Sequence, residues 1–79
     1  MDDLNAVRTQ IDDIDHTMLD LLKRRTELAA DVASYKVAHR MPVLDRERER
    51  RVVADARSCV PHELKSYASA LMELLMGAS

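Results

Sequence analysis

Residues 4–35, LNAVRTQIDDIDHTMLDLLKRRTELAADVASY, decide the fold. Within them Leu4, Val7, Ile11, Ile14, Met18, Leu21, Arg25, Leu28, Val32 and Tyr35 alternate at spacings of three and four, which lays all ten along one side of an α-helix. Nine of the ten are apolar and the exception is Arg25. A guanidinium buried in an apolar seam without a partner costs several kcal/mol, so an anionic group, from the protein or from a ligand, is expected to meet it.

Working outward, the helix extends back to the acidic residues Asp2 and Asp3, which complement the helix dipole, and forward to about His39. It stops before Pro42, which disfavours helical geometry in Met41. A second helix is expected over 45–59, opened by Asp45 as N-cap, and a third over 61–77, opened by Pro61 and carrying Leu64, Tyr67, Ala68, Leu71, Leu74 and Leu75 on one face. No strand signal, repeat or low-complexity segment interrupts this pattern, so the reading is one all-α domain over 1–79, with three helices and a long first one.

Composition narrows the class further. With 79 residues, no Phe or Trp and only two Tyr, a monomeric core must be built from aliphatic side chains and is marginal. The net charge of -2 argues against a nucleic-acid or anionic-membrane partner. One cysteine, Cys59, permits no internal disulfide and is read as a small packing residue. The first residues have neither the basic region nor the apolar run of a secretion signal, so the cytoplasm is the expected compartment. His16, His39 and His62 have no metal-ligand spacing to each other or to Cys59, and no metal site is expected.

Length constrains assembly. A helix of almost 40 residues is about 55 to 60 Å long, while a compact chain of this size has a radius of gyration of roughly 12 Å. Two helices of about 15 residues each cannot cover a seam that runs the whole length, so a homodimer with the long helices antiparallel or crossing is expected.

Charged residues on the apolar faces are the candidate chemistry. Arg25 and Lys36 are eleven residues apart, three turns, so they share a side with Cα atoms about 16 Å apart and bracket a small dianion. On the second helix Asp45, Glu49, Val52, Ala56 and Cys59 form the inward stripe, with Arg48 beside it. Arg8 lies about 42 Å from Lys36 along the same helix and reaches such a ligand only in trans. The plainer alternatives stand beside these: Arg25 paired with Glu49, Asp45 as a cap alone, and Lys36, Arg48 and Glu49 as solvated residues in pairs worth a few tenths of a kcal/mol. Arg24, Arg46, Arg50 and Arg51 are read as solvated surface.

Three segments, AVRTQIDDID around Arg8, LLKRRTELAADVASYK with Arg25 and Lys36, and MPVLDRERER with Asp45, Arg48 and Glu49, in this order and spacing, resemble the all-helical (type II) chorismate mutases. The resemblance implies an intertwined dimer of three-helix subunits and a cofactor-free isomerase that converts chorismate to prephenate by a Claisen rearrangement. The physical task in such a reaction is to hold a flexible dicarboxylate in a compact, chair-like conformer and to stabilise negative charge on the breaking ether oxygen. By the family pattern Arg25 and the partner subunit's Arg8 would grip carboxylates with help from Arg48. Lys36 would donate to the ether oxygen, and Glu49, near Asp45, would accept from the ring hydroxyl. Lys36, Arg25 and Glu49 are thus the implied catalytic residues. Ser79 is in register with a polar substrate-binding residue of the family's third helix, and the family's glutamine one turn later falls beyond Ser79, which implies a shortened domain or one cut from a longer fusion. Two other readings are an isochorismate pyruvate-lyase and a non-catalytic helical dimerisation or regulatory domain.

Overall fold

A computed structural model describes residues 2–77, and it is all helical: α1 spans Asp2–Ala38, α2 spans Arg46–Ser58, and a single 3₁₀ turn, His62–Leu64, leads into α3, Lys65–Gly77. Ser79, a candidate site residue, lies outside the described residues.

In α1, three threonines sit where β-branching would ordinarily weaken a helix. Thr9, Thr17 and Thr26 each donate the hydroxyl to the carbonyl four residues back, at 2.9, 3.0 and 2.9 Å, which satisfies the polar atom on the helix itself. The helix ends in a Schellman motif: Met41 N–H donates to the Lys36 carbonyl at 2.8 Å and Arg40 N–H to the Val37 carbonyl at 3.2 Å. The motif needs a left-handed residue, and Arg40 supplies it with φ 55°. The termination therefore comes from this cap, one residue ahead of the Met41 that Pro42 restrains.

Asp45 is the N-cap of α2, its carboxylate accepting from Arg48 N–H at 3.0 Å, and Glu47 and Glu49 add negative charge to the first turn. Pro61 does not open the third helix, as the sequence reading had it, but is extended at ψ 162°. The chain then turns once through the 3₁₀ segment, closed by Leu64 N–H on the Pro61 carbonyl at 2.9 Å.

The two short helices pack on each other as a hairpin, and α1 stands almost apart from them. The face α3 turns to its neighbours holds Lys65, Ala68, Ser69, Met72, Leu75 and Met76, all half-buried. This corrects the expected face: Leu64, Tyr67, Leu71 and Leu74 point outward, Tyr67 and Leu74 being 72% and 70% exposed. Cys59 is likewise exposed rather than packed, and serves as C-cap of α2 through its N–H to the Asp55 and Ala56 carbonyls. The molecule measures 58 × 27 × 15 Å with a radius of gyration of 16.4 Å, far above the roughly 12 Å of a compact chain this long. Among the described residues none is fully buried, and the apolar seam of α1 lies open along its length.

Candidate active site

The only residues of α1 that its own chain half-covers are Arg25, Ala29 and Lys36, among those whose side chains are described. They face the start of α2 across a cavity of about 390 Å³, within the range of small-molecule sites. Arg25 and Lys36 project from α1, and Asp45, Arg48 and Glu49 from the first turn of α2 and its cap. Leu28, Val32, Val52 and Met76 supply apolar wall, and the small side chains of Ala29 and Ala33 leave room on the helix surface between the two cations. Five of the seven candidate residues therefore meet in one place. Arg8 does not: it stands exposed near the far end of α1.

Local geometry explains the convergence. The Schellman turn reverses the chain after Lys36, so the segment 41–45 folds back along the last turn of α1, and Lys36 Nζ donates to the Val43 carbonyl at 3.1 Å. The Asp45 cap then launches α2 with Arg48 and Glu49 on the side facing α1. At the other end, Arg25 Nη1 donates to the Leu75 carbonyl of α3 at 3.1 Å, a contact across fifty residues of chain. One acceptor of this guanidinium is thus a backbone carbonyl.

For Lys36 the choice of acceptor matters electrostatically. A carboxylate would neutralise the Lys36 ammonium, whereas the neutral Val43 carbonyl orients it without cancelling its charge. Lys36 has three N–H donors, so it retains donors to present into the cavity. Three cations and two carboxylates around partly apolar walls suit a small, compact guest with more negative charge than positive and at least one hydroxyl to donate. Among the described residues no group of three or more His, Cys, Asp or Glu is placed to hold a metal ion, and no helix is long and apolar enough to cross a membrane.

The roles of Val43 and Leu75 were not legible in the sequence, because any residue offers a carbonyl and only the fold says where it points. Met76, a wall residue of the cavity, was readable only as apolar filler.

The model of the family described as chorismate mutase type II matches residues 7–79, nearly the whole chain. The chain belongs to this family. Among curated relatives of this type II mutase-family chain, the T-protein of Enterobacter agglomerans is 42% identical over 55 residues, covering 70% of this chain and 15% of its own length. The chorismate mutase of Methanocaldococcus jannaschii is 37% identical over 62 residues, covering 77% of this chain and 63% of its own length. The chain thus spans less than two thirds of either relative. No solved structure matches it at comparable significance.

Proposed function

We propose that this chain is a chorismate mutase, which rearranges chorismate to prephenate by holding the substrate between fixed charges. The observation that carries the proposal is the convergence of Arg25, Lys36, Arg48, Asp45 and Glu49 on one cavity, with Lys36 held on a neutral carbonyl. In this reading Arg25 and Arg48 take the substrate carboxylates, which selects the folded conformer in which the new carbon–carbon bond forms as the ether bond breaks. Lys36 donates to the ether oxygen, where negative charge grows in the transition state, and Glu49 accepts from the ring hydroxyl near Asp45. Ser79 has a substrate contact in the family pattern. The reaction runs in the cytoplasm.

The working unit is a homodimer, and the seam itself supplies its register. If two copies of α1 pair antiparallel with the seam fully overlapped, residues whose numbers sum to 39 face each other: Leu4 with the partner subunit's Tyr35, Val7 with its Val32, Ile11 with its Leu28, Met18 with its Leu21. All ten seam positions then find a seam partner. In the same register the partner subunit's Arg8 stands level with residue 31, midway between Arg25 and Lys36. An arginine too far away in its own subunit is delivered to the cavity by the other.

Subunit mixing tests both halves of the proposal. Arg8→Ala and Lys36→Ala are each expected to lower prephenate formation at least about a hundredfold as homodimers. Mixed and allowed to exchange, half the dimers are heterodimers with one intact site of two, so activity is expected to return to about a quarter of the wild-type value. No recovery on mixing would overturn the trans assignment. Release of pyruvate from isochorismate, without prephenate from chorismate, would overturn the mutase.

A further inference from the structure

A second cavity adjoins the site just described. It is a groove of about 520 Å³ on the α2–α3 hairpin to which no residue of α1 contributes. Arg46, Arg50 and Arg57 line it from one face of α2, where spacings of four and seven residues bring them into register. Val53, Ala54 and Met76 supply apolar lining, and Glu73 lines the groove from α3.

One of these arginines is fixed. Arg57 Nη1 donates to Ser69 Oγ at 2.9 Å and to the Lys65 carbonyl at 3.4 Å, while the Lys65 ammonium donates back to the Arg57 carbonyl. The reciprocal bonds join the end of α2 to the start of α3 and use one nitrogen of a three-nitrogen fork. Its other donors stay available in a planar, carboxylate-matching geometry, already paid for in side-chain entropy. A preset guanidinium, two more cations along the same wall and an apolar lining are the parts of a binding site for an anion with a body. Glu49 and Glu73 also line the groove and repel a guest more strongly with every extra negative charge, which favours a single carboxylate.

We propose that this groove is a second ligand site, selective for a small monocarboxylate with an apolar body. The carboxylate sits on Arg57 and Arg50, and the body lies on Val53, Ala54 and Met76. The site goes beyond the mutase reading and does not depend on it, although Leu44, Glu49 and Met76 wall both cavities.

Titration of the full chain with 3-phenylpropionate, followed by backbone amide shifts in nuclear magnetic resonance spectra, tests the proposal. Saturable shifts are expected at Arg50, Val53, Ala54 and Arg57, with affinity falling at least tenfold in Arg50→Gln and in Arg57→Gln and unchanged in Lys36→Ala. Acetate, the head group without the body, is expected to bind at least tenfold more weakly. Because Arg57→Gln also breaks the hairpin bonds, Arg50→Gln, at an exposed position, is the deciding variant. Absence of saturable shifts, full affinity in Arg50→Gln, loss of binding in Lys36→Ala, or acetate binding as tightly as 3-phenylpropionate would each overturn it.

Discussion

Lys36 and Arg40 stand four residues apart at the end of α1 and are stressed in different ways. Lys36 donates to the Val43 carbonyl, and in the proposed mechanism removing the side chain would leave the ether oxygen of the substrate without a donor. Loss of one preorganised donor costs about 3 to 4 kcal/mol in a transition state, so Lys36→Ala should lower kcat by two to three orders of magnitude with a smaller change in KM, measured by chorismate consumption. Arg40 holds φ 55° without the freedom of a glycine. Arg40→Gly should therefore stabilise the protein by about 0.5 to 1 kcal/mol, while a β-branched residue such as Val there should destabilise it by more. Thermal melts at one fixed protein concentration separate the two, since the stability of the proposed dimer would depend on concentration.

At the scale of elements, α2 is the piece whose placement makes the cavity, and its start rests on Asp45. The cap bond to Arg48 N–H aims both Arg48 and Glu49 at α1. Asp45→Ala should cost about 1 kcal/mol of stability in urea unfolding, and Asp45→Asn, which preserves the accepting oxygen, should cost only a few tenths. The cap was legible in the sequence because the residue type and the polar run after it are local signals. The packed face of α3 was not. Its apolar residues span two stripes, and Lys65, Ser69 and Met72, turned toward the neighbours, look no more like core than Leu64, Tyr67 and Leu71, turned out. Which stripe is covered depends on the roll of α3 against α2, and the Arg57–Ser69 bond across the hairpin helps set that roll.

At the scale of the whole molecule, a chain with a 58 Å long axis and an uncovered seam buries little core of its own, and the proposed dimer would cover that seam. The antiparallel register makes a distance prediction. Spin labels at position 20 should lie about 2 Å apart along the dimer axis before the width of the helix pair is added, and labels at position 9 about 31 Å apart. Pulsed electron resonance reads both, and a short distance at position 9 would rule out the register. What the sequence determined by itself was the three helices and their approximate extents, because a 3,4 apolar spacing and an N-cap act within a few residues. It also determined that Arg25 and Lys36 share a face of one rigid helix. Tertiary structure alone decided what those cations touch. The carbonyls of Val43 and Leu75, the cavity beside α2 and the outward turn of the Leu64 to Leu74 stripe all depend on the angle and roll at which separate helices meet, which no local spacing encodes.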